Sequence, residues 1–323
     1  MSRQSSHYYA VTEYAKDAHL FMKRQEEKRF RSHFSAPQLE FREELLVKII
    51  YVSTKLKLSE RALHLAVYIL DTYMDCHAIN VKRLELVCFA CLSIAAKYEE
   101  NDEKTSKLTE FLLQFMEEQP QKGVFIRMEF MILKFMQWKF IPTAVHFADY
   151  YVQYAVSPDD LNHVLGSGEE LLHGVRQYMK MFLRLALLDQ RLMNEPHSLI
   201  AAACIGAARE KMSLYPVWPN QMVQISGYRN FQVCAYVQLL LVKREKLKQE
   251  LDLARNISSP RQCNCHCCCC SCLTVSINVQ PASSSYVPMA APQAVPSFPL
   301  TFAARDKSHL SGFMNDQAGP MNI

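Results

Sequence analysis

The most constraining feature of this sequence is a run of small and apolar residues, from Lys82 to Tyr98, that follows helical spacing. A helix that is apolar on nearly every side is surrounded by other helices, and small side chains let those neighbours approach closely. The small residues of this run are Cys88, Ala90, Cys91, Ser93, Ala95 and Ala96. The run therefore predicts the central helix of a helical bundle.

A second small-residue run, from Pro196 to Met212, predicts a second bundle of the same kind. Its Ala207-Ala208-Arg209 ending repeats Ala95-Ala96-Lys97 at a spacing of 112 residues, which suggests a degenerate internal duplication. Only 8 glycines occur in 323 residues, too few for the tight turns of a large β-sandwich or for a Gly-rich phosphate loop. The sequence predicts an all-α protein.

Apolar residues at helical spacing predict the other helices of both units. The first unit holds a helix containing Phe41 to Val52, a helix that starts after the N-cap Ser59 and includes Met74, and helices over 107–117 and 122–137. The second unit holds helices at Thr143 to Ala155, Gly168 to Leu188 and Tyr228 to Lys248. Pro216, Pro219 and Gly227 are interpreted as breaks in the connection that precedes the last helix.

These patterns divide the chain into four regions: an N-terminal basic helix (1–35), a first bundle (36–142), a second bundle (143–252) and a tail (253–323). The N-terminal helix is predicted from Thr12 to about Arg29, with Tyr14, Ala18, Phe21 and Met22 near one apolar stripe. Seven of the 14 prolines fall in the last 68 residues, where charge is sparse and apolar periodicity ends. We expect the tail to be disordered.

Charge and hydropathy exclude several function classes. The run Leu86 to Ala96 is too short to cross a membrane, so no membrane span is expected. The first ten residues lack the apolar core of a signal peptide, so we expect the cysteines to remain thiols in the cytosol or nucleus. A formal net charge of +4 does not by itself indicate a nucleic-acid partner.

Three ionisable residues are predicted to be buried, and each needs a partner, since an unpaired charge in apolar surroundings is costly. Glu129 has apolar residues three and four positions away on both sides, Lys97 lies in the last turn of the central helix, and Asp71 lies among apolar residues. One interpretation is an internal Lys97–Glu129 ion pair with Asp71 buried against a helix end. The alternative is a role in binding a partner.

The motifs of the first unit resemble those of the cyclin family. The resemblance rests on Phe41-Arg42, LAVYILDTYMD (65–75), LELVCFACLSIAAKYEE (84–100) and IRMEFMILKFMQWKFIPTAVHF (126–147). A weaker second match contains SLIAAACIGAAR (198–209) and Trp218-Pro219, and EYAKDAHLFMKRQEEK (13–28) is similar to the helix that precedes the first cyclin box. The resemblance implies two tandem five-helix cyclin boxes after an N-terminal helix.

The resemblance also implies a regulatory subunit that forms a heterodimer with a cyclin-dependent kinase catalytic subunit and activates it. The positions that match the family's kinase contacts are Lys97, Glu129, Leu86, Tyr98, Glu100 and Trp138. Those that match its supporting arginine and buried aspartate are Arg42 and Asp71. No cofactor, no catalytic residue and no direct contact with nucleic acid are implied.

Some positions depart from the family pattern. The isoleucine and tryptophan of the family's substrate-docking cleft are replaced by Glu44 and Lys48, so that cleft is not expected here. The isoleucine of the N-terminal helix is replaced by Ala18, which buries less apolar area against a kinase. The Arg-x-x-Leu sequences that start at Arg83 and Arg184 lie in predicted core helices, so no destruction box is evident.

Cysteines are concentrated in CNCHCCCCSC (263–272), which could remain unliganded and flexible, accept fatty acyl chains or bind a metal. Adjacent cysteines cannot all reach one ion without strain, so a metal site is the weaker interpretation; its ligands would come from Cys263, Cys265, His266, Cys267, Cys268, Cys269, Cys270 and Cys272. The remaining cysteines, Cys76, Cys88, Cys91, Cys204 and Cys234, are expected to pack in the core, and His146 and His197 to be structural.

The sequence contains no HExxH, P-loop, GxSxG or dinucleotide-binding motif, so we do not expect an enzyme. The function that the resemblance favours is a nuclear activator of a cyclin-dependent serine/threonine kinase in control of the cell cycle. The alternative is a cyclin-fold transcription factor or scaffold that binds nucleic acid or transcription machinery without a kinase, since the double-box fold also resembles that of general initiation factors.

Overall fold

Apolar residues at helical spacing produce helices throughout the computed structural model, which describes residues 14–161 and 167–258. The helices in those ranges are α1 (Ala15–Glu26), α2 (Arg42–Lys55), α3 (Glu60–Cys76), α4 (Val81–Glu99), α5 (Asp102–Thr105), α6 (Leu108–Gln114), α7 (Lys122–Phe135), α8 (Ala144–Tyr151), α9 (Pro158–Leu161), α10 (Gly168–Leu187), α11 (His197–Lys211), α12 (Asn220–Ser226) and α13 (Asn230–Ser258). No β-strand occurs in the described ranges, which confirms the all-α prediction.

Helix α4 is the centre of the first bundle, as its small residues predict. Every residue from Leu86 to Ala96 is buried, and α2, α3, α6 and α7 pack around the helix. The Ser59 side chain accepts a hydrogen bond from the Ala62 N–H and so caps α3, and the Asn80 side chain caps α4 in the same way through the Lys82 N–H. Local capping and central packing therefore agree on where α3 and α4 begin.

Helix α11 has the same central position in the second bundle, where α8, α10 and α13 pack against it. The connection with Pro216, Pro219 and Gly227 was interpreted as a break, but it contains the short helix α12. Pro219 occupies the N-cap position, and Gly227 ends the helix with a left-handed φ of 77°. Proline is favoured where helices begin and glycine where they end, so these residues bound a helix rather than exclude one.

Ion pairs and apolar contacts join the two bundles within the single compact unit to which the described residues belong. Helix α3 packs against α8 and α10. Arg184 of α10 lies 2.6 Å from Glu60 of α3, and Arg61 lies 2.6 Å from Asp149 of α8. These pairs fix the first bundle relative to the second.

The N-terminal helix differs from its predicted apolar stripe. Tyr14 and Phe21 are 70% and 58% exposed, and the buried residues of α1 are Ala15, His19 and Glu26. Polar contacts hold this helix to the second bundle: the Glu26 carboxylate accepts hydrogen bonds from the Ser198 N–H (2.6 Å) and the Ser198 hydroxyl (2.7 Å). A hydrophobic pattern alone cannot predict a helix that docks through hydrogen bonds.

The cysteine prediction is correct for Cys88, Cys91 and Cys204, which are buried free thiols. It is wrong for Cys76 and Cys234, which are exposed because they lie on the outer sides of α3 and α13. No described helix is long and apolar enough to cross a membrane. The predicted start of the tail at residue 253 is too early, because α13 continues to Ser258. The rest of the predicted tail, including the segment 263–272 with its acylation and metal hypotheses, lies outside the described residues.

Candidate functional site

The predicted ion pair between Lys97 and Glu129 is formed. The ammonium group of Lys97, at the end of α4, lies 2.6 Å and 2.9 Å from the two carboxylate oxygens of Glu129, on α7. The side chain of Glu129 is only 8% exposed, whereas that of Lys97 is 43% exposed. An ammonium group has three N–H donors and Glu129 accepts two, so the third can reach a bound partner.

An apolar surface on α7 and the turn after it lies near this pair. Ile126, Phe130 and Met131 are 48%, 57% and 53% exposed, and Trp138 is 63% exposed. The Phe130 and Trp138 rings meet edge to face with centroids 6.5 Å apart. An exposed apolar patch of this kind indicates a surface that another molecule covers.

Trp138 was predicted as a contact residue, but Ile126, Phe130 and Met131 were not predicted as surface residues. Ile126 was instead expected in the apolar surroundings of Glu129, where the structure buries Phe125, Met128 and Ile132. Spacing places Ile126 and Phe130, four residues apart, on a different side of the helix from Phe125 and Ile132, but it does not show which of the two sides is buried.

The backbone after α7 holds Trp138 in place. Gln137 and Trp138 have φ angles of 52° and 58°, in the left-handed region that bulky residues rarely adopt. The Trp138 N–H donates to the Leu133 carbonyl at 3.1 Å, a bond that closes the end of the helix. Such a backbone conformation costs of order 1–3 kcal/mol, and residues that adopt it cluster at functional sites.

Tyr98 also contributes to the exposed surface. It directly follows Lys97 at the end of α4, is 62% exposed, and packs edge to face on Phe140 with ring centroids 5.0 Å apart. Four of the six predicted kinase-contact residues therefore come from neighbouring elements: Lys97 and Tyr98 from the end of α4, Glu129 from the middle of α7 and Trp138 from the turn after α7.

Leu86 and Glu100, the other two predicted kinase-contact residues, make contacts within the first bundle instead. Leu86 is 7% exposed and belongs to the core of the first bundle. The Glu100 carboxylate accepts hydrogen bonds from the Ser59 N–H and, at 2.8 Å, from Lys104. Burial acts to raise the pKa of Glu100, but these donors hold it below its ordinary value. Glu100 therefore fastens the start of α3 to the end of α4.

Arg42 and Asp71, the predicted supporting residues, contact each other. The guanidinium group of Arg42 donates two hydrogen bonds to the Asp71 carboxylate, at 2.7 Å and 2.8 Å. Their side chains are 6% and 15% exposed. This bidentate pair joins the first turn of α2 to α3, which is the contact that a supporting role requires.

Glu44 and Lys48, which replace the isoleucine and tryptophan of the family's substrate-docking cleft, belong to a network of charged side chains. Lys48 lies 2.8 Å from Glu117, 3.1 Å from Glu85 and 3.5 Å from Glu44. Burial opposes a charge on Lys48, yet hydrogen bonds to Glu117 and Glu85 raise its pKa well above the ordinary value. Charged side chains thus occupy positions where an apolar cleft would need isoleucine and tryptophan.

A second buried ion pair, between Arg209 of α11 and Asp160 of α9, was not predicted from the sequence. Both side chains are at most 1% exposed, and their shortest distance is 2.8 Å. Arg209 also donates to the Ala155, Pro216 and Val217 carbonyls. The repeat of Ala95-Ala96-Lys97 at Ala207-Ala208-Arg209 was the available signal, because it places a cation at the end of the second central helix.

The described residues include no group of histidine, cysteine, aspartate and glutamate side chains placed to hold a metal ion. His146 completes the capping of α8 with Thr143, and His197 donates a hydrogen bond from Nδ1 to the Pro142 carbonyl at 2.9 Å. Both histidines therefore make local contacts at helix starts, which is what the predicted structural role requires.

Comparison with known proteins gives two adjoining family matches. Residues 10–141 match the family described as Cyclin, N-terminal domain, and residues 142–270 match Cyclin, C-terminal domain.

Cyclin-J of Xenopus laevis is 30% identical over 228 residues, which cover 68% of this chain and 59% of that protein. Cyclin-J of Homo sapiens is 30% identical over 231 residues, with 70% and 60% covered. Cyclin-B1-1 of Oryza sativa subsp. japonica is 27% identical over 237 residues, with 72% and 50% covered. The match thus spans about three fifths of the length of the two cyclin-J proteins.

Proposed function

This chain belongs to the cyclin family, and we propose that it is the regulatory subunit that binds and activates a cyclin-dependent serine/threonine kinase in the nucleus, in control of the cell cycle. The observation that carries the proposal is the Lys97–Glu129 pair with an exposed apolar surface beside it. Lys97, Glu129 and Trp138 match the family's kinase contacts, and they come from the end of α4, from α7 and from the turn after α7.

The proposed docking begins with burial of the exposed apolar residues of α7 against the mobile regulatory helix of the kinase. Covering Phe130 and Trp138 removes apolar surface from water and supplies much of the binding free energy. Lys97 then donates its free N–H to a kinase carbonyl, while Glu129 keeps the ammonium group in position.

Activation follows as a shift between kinase conformers. The regulatory helix, once docked, is rotated so that the kinase's own lysine–glutamate pair forms and its activation loop leaves the nucleotide cleft. The shift is limited by how much more tightly this surface binds the active conformer than the inactive one. The cyclin therefore contributes binding energy, and the kinase supplies the catalytic residues.

Affinity purification of the intact chain beside Glu129→Ala tests the proposal, with identification of the bound proteins and a histone kinase assay on each eluate. A kinase that is recovered with the intact chain and lost with the variant, while circular dichroism shows unchanged helix content, is the expected result. A matched control is Glu110→Ala, which removes an exposed carboxylate paired with Lys122 elsewhere in the same bundle. Equal kinase recovery with all three proteins would contradict the proposal.

A further inference from the structure

The exposed apolar surface on α7 is bordered by cations that have no partner among the described residues. Arg127, Lys134 and Lys139 are all exposed, and none of their side chains forms a hydrogen bond or ion pair within the described part of the chain. Lys122, at the start of the helix, differs because it lies 3.4 Å from Glu110. The three free cations are therefore available to another molecule.

Two of these cations, Arg127 and Lys134, lie on one side of the apolar surface. Arg127 and Lys134 are seven residues apart and Met131 lies between them, so the three share a face of α7. Ile126 and Phe130 occupy the adjoining face, and Glu129 lies beyond them. Moving round the helix, a partner meets the ion pair first, then the apolar residues, and then the cations.

Carboxylates do not balance these charges on α7. The charged residues from 122 to 139 are Lys122, Arg127, Glu129, Lys134 and Lys139, and the one carboxylate is buried against Lys97. Every exposed charged residue of this segment is thus a cation. Charges at the edge of an interface that go unpaired within their own protein are arranged to meet opposite charges on the partner.

We propose that this surface selects a kinase that carries carboxylates beside an apolar depression on its regulatory-helix side, facing Arg127 and Lys134. The inference rests on the proposed function and specifies the chemistry of the partner. Edge charges chiefly accelerate association, since their field extends about 8–10 Å at physiological salt. They also disfavour kinases with basic residues at the same place.

A nucleic acid is the other class of molecule that free cations attract. Phosphates would use the cations alone, and Ile126 and Met131 would remain exposed to water. A protein partner uses both features, because protein interfaces combine an apolar core with a polar rim. The juxtaposition of apolar and basic residues therefore favours the kinase.

The test measures association of the purified chain with a panel of purified cyclin-dependent kinase catalytic subunits, ranked beforehand by charge around the regulatory helix. The variant Arg127→Glu/Lys134→Glu is compared with Lys82→Glu/Arg83→Glu, which makes the same charge change at the exposed start of α4, about 20 Å along that helix from Lys97. Helix content by circular dichroism checks that both variants fold.

The intact chain is expected to bind acidic members of the panel fastest. The α7 variant should associate at least about 10-fold more slowly near 0.1 M salt, and the difference should shrink near 1 M salt. The α4 variant should stay within about twofold of the intact chain. Lysine in place of the facing kinase carboxylates should restore binding to the α7 variant.

Two results would overturn the inference while leaving the proposed function intact. One is equal association of both variants with a kinase that the intact chain binds. The other is binding of a short DNA duplex by the intact chain that the α7 variant loses, while kinase binding is unchanged. Failure of the intact chain to bind any kinase would instead overturn the proposed function, and the inference with it.

Discussion

At the scale of single residues, the two central helices end in ion pairs that differ in their exposure to water. Arg209 and Asp160 are buried, and Arg209 also donates hydrogen bonds to three backbone carbonyls. This pair therefore joins several segments of the second bundle. Lys97 is half exposed over a buried Glu129. An enclosed pair serves structure, whereas a half-exposed pair can serve structure and recognition together.

The exposure difference within the Lys97–Glu129 pair predicts unequal effects of its two neutral variants on stability. Lys97→Met leaves a buried carboxylate without its donor and should lower the free energy of unfolding by about 1–3 kcal/mol. Glu129→Gln leaves an amide that still accepts from Lys97, whose ammonium group reaches water, so the loss should stay below about 1 kcal/mol. Urea denaturation of both variants measures this order, and the reverse order would contradict it.

His64 predicts a dependence of stability on pH. Burial, followed by the nearby charges of His197, His146 and Arg184, lowers the pKa of His64 from 6.5 to about 3. Between about pH 6.5 and pH 3, His64 therefore binds a proton in the unfolded chain but not in the folded chain. The contribution of neutral His64 is complete above pH 6.5 and is lost as the pH falls, by up to about 1.4 kcal/mol per pH unit.

The variant His64→Leu isolates this effect. Nε2 of His64 is buried and has no hydrogen-bond partner among the described residues, so leucine should be tolerated at pH 7. Denaturation at pH 7 and pH 5 should show a smaller loss of stability for the variant than for the native chain. Identical pH dependence in the two proteins would rule out the role assigned to His64.

At the scale of elements, the sequence predicted the long helices but missed the short helices α5, α9 and α12 and ended α13 at Lys248 rather than Ser258. It also assigned the wrong buried face to α1. Helix α3 could be predicted because an N-cap, Ser59, and an apolar pattern coincide, and α4 because its small and apolar residues follow helical spacing. Helix α12 was missed because its bounding residues, Pro219 and Gly227, were taken only as breaks. The buried face of α1 was wrong because Glu26 and His19 dock it through polar contacts, which hydrophobic spacing does not reveal.

A matched pair of glycines tests how helix packing depends on close approach. A Cβ atom on Gly206 would lie 2.7 Å from Cγ2 of the buried Val237, which joins α11 to α13, whereas one on Gly123 would meet nothing within 4 Å. Gly206→Ala should therefore cost about 1–2 kcal/mol despite its better helix propensity. Gly123→Ala should stabilise the protein by about 0.5 kcal/mol. Thermal unfolding measures both, and a stabilising Gly206→Ala would contradict the packing described.

At the scale of the whole molecule, two helices of small residues were enough to predict two bundles, because each must be surrounded by neighbours. The Lys97–Glu129 contact was also predictable, since a buried carboxylate needs a donor and Lys97 was a suitable one. The apolar and basic surface beside it was not predicted, because apolar spacing does not tell the buried side of α7 from the side that awaits a partner. That distinction depends on where α4 and α7 meet.

The proposed function requires that this cyclin raise the activity of a kinase, and the rate of peptide phosphorylation by the purified catalytic subunit that binds it measures this. Titration with the intact chain should increase the rate to a plateau at one cyclin per kinase, and Glu129→Ala should give no increase at the same concentrations. A complex that forms without any increase in rate would contradict the claim that docking shifts the kinase toward its active conformer.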